Sequence, residues 1–154
     1  AAEAKAEYDV EVTATWGVRI DEELDPAAVA AESSPDQVII NIGTNNVLQR
    51  HDTTASAEDL AAMLDLFDDA SCLHLVTVNE RINRLGDDFG PDAAAFNAKL
   101  REIAARRLNT HVIDWNQIVA DHVADGIISE DSVHPTPAGV KLLADAYVGA
   151  LRDC

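Results

Sequence analysis

Three short runs of apolar residues, at positions 38–42, 73–78 and 111–114, constrain the fold of this chain most strongly. Each run is rich in Val, Ile or Leu and too short for a typical helix. Such runs are typical of strands that are covered on both faces of a parallel sheet. Segments with helical periodicity lie between and after them. Because strands that alternate with helices form parallel sheets, the pattern predicts an α/β domain with a mainly parallel sheet.

A further strand is predicted at residues 8–15, where apolar and polar side chains alternate as they do near a sheet edge. Residues 1–7 are rich in Ala, Glu and Lys and favour the end of a helix. A short Ala-rich helix is predicted over residues 26–32. Three more helices are predicted to begin at Ser56, Pro91 and Thr136, residue types that are common at helix starts. Their inward-facing residues are expected to be Leu60, Met63, Leu64, Phe67, Phe96, Leu100, Ile103, Leu108, Val140, Leu143, Tyr147 and Leu151.

The charge of the chain limits its partners. Asp and Glu number 28 against 11 Lys and Arg, which gives a formal net charge of −17. A chain this acidic is repelled by phosphate backbones and by anionic lipid headgroups. We therefore expect neither nucleic acid nor an anionic membrane as a partner. No apolar run approaches the ~20 residues of a membrane-spanning helix.

Cys72 and Cys154 are the only cysteines of the sequence. Two cysteines are too few for a disulfide framework or for a cysteine-based zinc site. They form one bridge if the compartment is oxidising; otherwise one is a buried thiol and the other a thiol at a frayed terminus. The spacing of the residues leaves both interpretations open, because a bridge depends on three-dimensional geometry.

A first candidate site comprises Gly43, Asn45 and Asn46, directly after the run 38–42. In open parallel sheets, ligands bind at the carboxyl ends of the strands. Glycine lets the backbone turn sharply and offers its N–H, and an asparagine adds an amide donor. Together they could hold a developing oxyanion. The same residue types are also ordinary in turns, so the segment alone is either a turn or an anion-binding loop.

A second candidate site comprises Asp131 and His134, three residues apart, just before the last predicted helix. A carboxylate beside an imidazole nitrogen fixes the tautomer of the ring and stabilises the imidazolium of a general base. The alternative is a helix-entry loop that carries a surface histidine. A metal site is less favoured, since no third His or Cys ligand is obvious nearby.

The segments 43–46 (Gly-Thr-Asn-Asn) and 131–134 (Asp-Ser-Val-His) resemble the third and fifth blocks of the SGNH, or GDSL-like, hydrolase and acyltransferase family. Those blocks read Gly-x-Asn-Asp and Asp-x-x-His, so Asn46 departs from the family pattern. Gly17 stands where the second block has its glycine. The chain is most similar to the small variants found in actinobacterial secreted proteins or fused to membrane acyltransferases.

The resemblance implies a flavodoxin-like three-layer α/β/α sandwich. It also implies a serine esterase or O-acyltransferase that acts on a small-molecule or carbohydrate ester, such as an acyl-sugar, without cofactor or metal. In that family, His134 would be the general base and Asp131 its orienting acid. Asn45 and the Gly17 N–H would stabilise the oxyanion, and Gly43 and Asn46 would belong to the same substrate-binding loop. An extracytoplasmic location fits an acyl-sugar substrate, while a cytoplasmic one stays open.

The family's nucleophile is the serine of a Gly-Asp-Ser block at the end of the first strand, and this chain has no such block. We therefore expect residues 1–154 to be one domain that lacks this strand and part of the first helix. The strand comes from a segment that precedes Ala1, from another polypeptide or a second copy, or has been lost. The first explanation is preferred. The last would make the protein a non-catalytic binding or structural module.

Several other polar residues have structural interpretations. Ser132 is expected to point away from the imidazole of His134, since it lies beside it in a turn. His74, inside an apolar run, is expected to be a core histidine with satisfied hydrogen bonds. Asn79, Arg81 and Asn83 follow a predicted strand and could contact substrate. Asn97, on a core-facing helix, is expected to hydrogen-bond a neighbouring loop.

Overall fold

The computed structural model describes residues 8–154 and is built around a three-stranded parallel sheet. The strands are β1 (Gln37–Ile40), β2 (Cys72–Val76) and β3 (Thr110–Ile113), in the spatial order β1-β2-β3. All five residues of the central strand β2 are buried. Each strand coincides with one of the apolar runs, so the predicted parallel sheet is confirmed.

Six α-helices lie within residues 8–154, and none of them is long and apolar enough to cross a membrane. Short 3₁₀ turns precede α1 and follow α5, and a small hairpin of two-residue strands lies between β2 and α4. The helices are α1 (Leu24–Ala31), α2 (Thr44–Leu48), α3 (Thr53–Asp65), α4 (Gly90–Ala105), α5 (Trp115–Asp121) and α6 (Pro137–Asp153).

Side chains of successive strand residues enter two different apolar clusters, one on each face of the sheet. Leu73 and Leu75 belong to the cluster that includes Phe96 of α4 and buried residues of α1 and α3. Val76 belongs to the other cluster, with Trp115 of α5 and apolar side chains of α6. Helices therefore cover both faces of the sheet. The chain has the predicted three-layer α/β/α arrangement.

The prediction of a strand at residues 8–15 is wrong. This segment has no regular secondary structure. Most of it is exposed, including Val12, and so is Trp16, which follows it. A strand exists only where a neighbour accepts its backbone hydrogen bonds, and within residues 8–154 no strand lies alongside this segment. The helix predicted over residues 1–7 lies outside the described residues.

The predicted helix starts and inward faces need three corrections. The side chain of Asp52, not Ser56, caps α3 by accepting a hydrogen bond from the Ala55 N–H at 2.8 Å, while Ser56 is buried one turn inside the helix. Leu108 is fully exposed because α4 ends three residues earlier. Val140 lies on the solvent side of α6.

A disulfide joins Cys72, the first residue of β2, to Cys154, the residue that follows α6. Their Cα atoms are 6.2 Å apart, and 82 positions separate them in sequence. In the chain-entropy account, a closed loop of this length contributes about 4–5 kcal/mol to the free energy of unfolding. The bridge therefore fastens the carboxyl end of the last helix to the central strand.

Candidate active site

Asp131 and His134 face each other in the histidine loop, residues 129–135, which leads into α6. Nδ1 of His134 lies 2.6 Å from Oδ2 of Asp131. The other ring nitrogen, Nε2, has no hydrogen-bond partner within residues 8–154, and the side chain of His134 is 66% exposed. With a proton on Nδ1 facing the carboxylate, Nε2 has a free lone pair. The ring can therefore accept a proton from a hydroxyl placed beside it.

Asp131 is held by four hydrogen-bond donors, all from the histidine loop. Besides the imidazole, the Ser129 hydroxyl donates to Oδ1 at 2.6 Å, and so do the N–H groups of Val133 at 2.9 Å and His134 at 3.0 Å. These bonds, that of the imidazole first, lower the pKa of Asp131 well below its ordinary value. The carboxylate therefore stays ionised at neutral pH. Sequence reasoning missed the contact of Ser129, because serine is common in any loop.

Asn79 and the hairpin after β2 attach the histidine loop to the sheet. The Asn79 amide donates to the Ser132 carbonyl at 3.0 Å, and the Asn83 N–H donates to the Ser132 hydroxyl at 2.9 Å. Asn97 holds the chain between them and β2, because its amide bonds both the N–H and the carbonyl of Val78. The Ser132 hydroxyl is thus turned to the hairpin and not to the imidazole, as its position in the turn predicts.

The asparagine loop, residues 43–46, begins α2 directly after β1. Gly43 has a φ of +115°, and a Cβ atom at this position would lie 2.5 Å from the ring of Phe96. Only glycine combines this backbone conformation with so close a neighbour. Asn45 is partly exposed, and its side-chain amide has no hydrogen-bond partner within residues 8–154. It is therefore available to a ligand.

The next residue, Asn46, is buried and forms hydrogen bonds within the fold. Its side chain is buried, with 1% of the residue exposed. Its Oδ1 accepts a hydrogen bond from the Ile20 N–H at 3.0 Å, and its Nδ2 donates to the Ser56 hydroxyl at 2.9 Å. Both ends of the amide are therefore occupied, and Asn46 joins the segment before α1 to α3.

Gly17 lies beside the carboxyl end of α2. Its carbonyl accepts a hydrogen bond from the Gln49 amide at 3.3 Å, and Gln49 in turn accepts one from the Arg19 guanidinium at 2.8 Å. The backbone at Gly17 has a φ of +77°, and no atom lies within 4 Å of an added Cβ. The N–H of Gly17 has no hydrogen-bond partner within residues 8–154.

The histidine loop and the asparagine loop lie at the same edge of the sheet. The asparagine loop follows β1, and Asn79, just after the carboxyl end of β2, holds the histidine loop through Ser132. Ile42 and Val133, one beside each loop, pack against the same apolar cluster. The Asn41 amide donates to the Tyr147 hydroxyl at 2.6 Å, which ties α6 to the end of β1. Burial raises the pKa of Tyr147 to about 12, so the phenol stays protonated.

This geometry agrees with the result of a family comparison. The family model for the GDSL-like Lipase/Acylhydrolase family matches residues 4–142. The chain belongs to this family. The match includes both loops, and it extends over the whole sheet and the first six residues of α6.

Curated relatives of this GDSL-like chain include two Staphylococcus aureus proteins, from strains MSSA476 and MW2, each named "Putative O-acetyltransferase". Each is 30% identical over 121 residues, which cover 79% of this chain and 17% of the relative. The chain thus spans about a sixth of the length of these relatives.

Solved structures show the same GDSL-like fold. A member of the lipolytic protein G-D-S-L family from Veillonella parvula superposes with a TM-score of 0.75 at 19% identity, covering 96% of this chain and 84% of that one. Axe2, an acetylxylan esterase from Geobacillus stearothermophilus, superposes with a TM-score of 0.68 at 20% identity, covering 86% and 67%. At these identities the agreement concerns the fold.

Proposed function

We propose that this chain carries the histidine and aspartate of a serine esterase or O-acyltransferase. The nucleophilic serine would be supplied by a segment outside the 154 residues, and we favour one that precedes Ala1 over a second polypeptide. The observation that supports this proposal most directly is the 2.6 Å contact between Asp131 and His134, which leaves Nε2 open. Within residues 8–154, no serine hydroxyl is hydrogen-bonded to that ring. In the proposed site, Nε2 of His134 is therefore free to accept the proton of the serine hydroxyl.

The proposed reaction has two acyl-transfer steps. His134 takes the proton of the serine hydroxyl while the serine oxygen attacks the ester carbonyl. The tetrahedral intermediate expels the alcohol, which receives the proton from His134, and an acyl-serine is left. Water or a sugar hydroxyl, deprotonated by His134, then attacks the acyl-serine. The serine oxygen leaves and receives that proton back from His134, so that an acid or a new ester is released and the serine hydroxyl is restored. Asp131 stabilises the imidazolium that forms in each step.

The negative charge of the tetrahedral intermediate needs donors that are not already used by the fold. The amide of Asn45 and the N–H of Gly17 are the proposed donors, because neither has a partner within residues 8–154. Preorganised donors of this kind stabilise a developing oxyanion. Gly43 lets the chain turn so that Asn45 stands at the sheet edge, while Asn46 positions the loop from inside.

We propose a short acyl group on a carbohydrate as the ester. The names of the relatives support this choice: O-acetyltransferase for the Staphylococcus aureus proteins and acetylxylan esterase for the Geobacillus stearothermophilus structure. The Cys72–Cys154 bridge favours an oxidising, extracytoplasmic compartment.

The test is the substitution His134→Ala in the full-length polypeptide, with p-nitrophenyl acetate as substrate. We expect turnover to fall by roughly 10²–10⁴-fold, because the general base is lost. His122→Ala is the matched control, since His122 also contacts an aspartate, Asp125 at 2.7 Å, but lies outside both loops. Unchanged turnover in His134→Ala would refute the role of His134. A folded full-length protein that does not react with a fluorophosphonate probe would support a non-catalytic module instead.

A further inference from the structure

A second cluster of reactive side chains lies on the face of the sheet that α5 and α6 cover, away from the two loops. A cavity of about 480 Å³ opens there between β3 and these helices. Two histidines, His74 and His111, line it together with the carboxylates of Asp114 and Asp153. The proposed acyl-transfer reaction uses none of these residues.

The two imidazoles come from neighbouring strands at the same level of the sheet. His74 of β2 and His111 of β3 are directly paired in the parallel register, so both side chains leave the same face. Their ring centroids are 5.7 Å apart. A metal–nitrogen bond of about 2.0 Å places an ion roughly 3.2 Å from the centroid of its imidazole. Two rings at the observed separation can therefore share one ion.

The hydrogen bonds of His74 leave one nitrogen without a partner. The residue is 2% exposed, and its Nε2 lies 3.3 Å from the amide oxygen of Gln37. Since that oxygen can only accept, Nε2 carries the proton and Nδ1 has a lone pair. Nδ1 is buried and has no hydrogen-bond partner in the described part of the chain. The prediction of a fully satisfied core histidine is therefore wrong for this nitrogen.

An imidazole in this state is typical of a metal ligand. Metal-binding histidines usually donate their second ring N–H to an oxygen acceptor, which fixes the tautomer and the ring orientation. The Gln37 amide does this for His74. Asp153 and the net charge of −17 favour a cation over an anion at the cavity. Asp114 contributes charge only, because the Arg101 guanidinium already occupies its carboxylate at 2.7 Å.

We propose that His74 and His111 bind a divalent transition-metal ion that prefers imidazole ligands, such as Zn²⁺ or Ni²⁺. Within residues 8–154, no group of three or more His, Cys, Asp and Glu side chains is arranged to hold a metal. In this proposal the two imidazoles are the only protein ligands within residues 8–154, and water completes the coordination. Such an ion would link β2 to β3 without taking part in acyl transfer.

The test is a titration of the full-length protein with ZnCl₂ by isothermal calorimetry, with its disulfide intact and without thiols or chelators. His111→Ala is the main variant, because His111 is exposed and its loss leaves the core unchanged. We expect one Zn²⁺ per chain in the wild type and at least about tenfold weaker binding in His111→Ala. Gln37→Ala, which removes the partner of Nε2, should weaken binding about 10–100-fold.

Two histidine variants serve as controls. His122→Ala and His134→Ala remove imidazoles that contact aspartates elsewhere on the surface, and both should bind Zn²⁺ like the wild type. Saturating Zn²⁺ should raise the melting temperature of the wild type and of both controls but not that of His111→Ala. Absence of binding in the wild type, or equal affinity in His111→Ala, would overturn the proposal. Neither measurement depends on esterase activity, so the outcome is independent of the proposed function.

Discussion

The histidine loop and the asparagine loop lie at the same edge of the sheet but are held in different ways. The hydrogen bonds that define the histidine loop join Ser129, Asp131 and His134, which lie within six residues of one another. Distant residues hold the histidine loop only through Ser132, which bonds Asn79 and Asn83. In the asparagine loop, distant parts of the chain contact the candidate site residues themselves. The ring of Phe96 lies against Gly43, and Ile20 and Ser56 bond the side chain of Asn46.

The difference shows how one site can combine two kinds of rigidity. A loop that is stabilised by its own contacts can stay exposed and keep its reactive nitrogen open. The asparagine loop, which the core stabilises, leaves the side chain of Asn45 partly exposed and buries that of Asn46. Substitutions in the first loop should therefore change chemistry, while those in the second should change either chemistry or stability, depending on the position.

The largest effect is expected for Asp131→Asn in the full-length polypeptide. The amide can donate to Nδ1 of His134, so the ring would hold its proton on Nε2 and could no longer accept one. We expect kcat/KM to fall by up to about 10⁴-fold, with little change in the free energy of unfolding. Asp125→Asn, beside His122, is the matched control. A fall of less than about tenfold in kcat/KM would show that the carboxylate does not orient the base.

Two neighbouring alanine substitutions test the division within the asparagine loop. Asn45→Ala should lower kcat by about 10²–10³-fold, because it removes an oxyanion donor, and should leave the stability unchanged. Asn46→Ala should instead lower the free energy of unfolding by about 1–3 kcal/mol, because it leaves the buried Ile20 N–H without its acceptor. Steady-state kinetics gives kcat and urea denaturation gives the free energy of unfolding, and both are measured for both variants. The reverse pattern would mean that the two side chains have been assigned to the wrong roles.

Two glycine substitutions compare a buried turn with an exposed one. Gly43→Ala should lower the free energy of unfolding by about 2–4 kcal/mol, since the new Cβ meets Phe96 and the positive φ is strained as well. Gly17→Ala has the strain without the contact and should cost about 1 kcal/mol. Urea denaturation gives both values. Equal losses would show that the contact with Phe96 is relieved by a shift of the ring.

The smallest effect concerns pH. Hydrogen bonds from His134, Ser129 and two backbone N–H groups lower the folded-state pKa of Asp131 below its ordinary value of 3.8. The ionised carboxylate therefore stabilises the folded loop above that pH, and this contribution is lost as the pH falls further, through the folded-state pKa. The effect should be small, because the Asp131 side chain is 41% exposed. Urea denaturation between about pH 5 and pH 2 should show a steeper loss of stability in the wild type than in Asp131→Asn. If the stability of the two proteins fell equally with pH, the ionised Asp131 carboxylate would not stabilise the folded loop.

The parts of the fold that could be predicted from the sequence depend on local hydrophobicity. The three apolar runs became β1, β2 and β3, since a continuous apolar run has few other stable positions than the middle of a covered sheet. The strand expected at residues 8–15 failed because an alternating pattern says nothing about whether a partner strand is present. Asp52 and Ser56 are both suitable helix caps, and the packing of Ser56 against Asn46 decided between them.

Some features of the site also follow from the local sequence, while others depend on the tertiary structure. The spacing of Asp131 and His134 brings carboxylate and imidazole together within one turn, so their contact follows from the order of residues. The separate uses of Asn45 and Asn46, the Cys72–Cys154 bridge and the pairing of His74 with His111 do not follow from it. Each of these depends on which segments, dozens of residues apart, become neighbours when the helices close over the sheet. Local patterns carry no information on those distances, because they are set by the packing of the whole core.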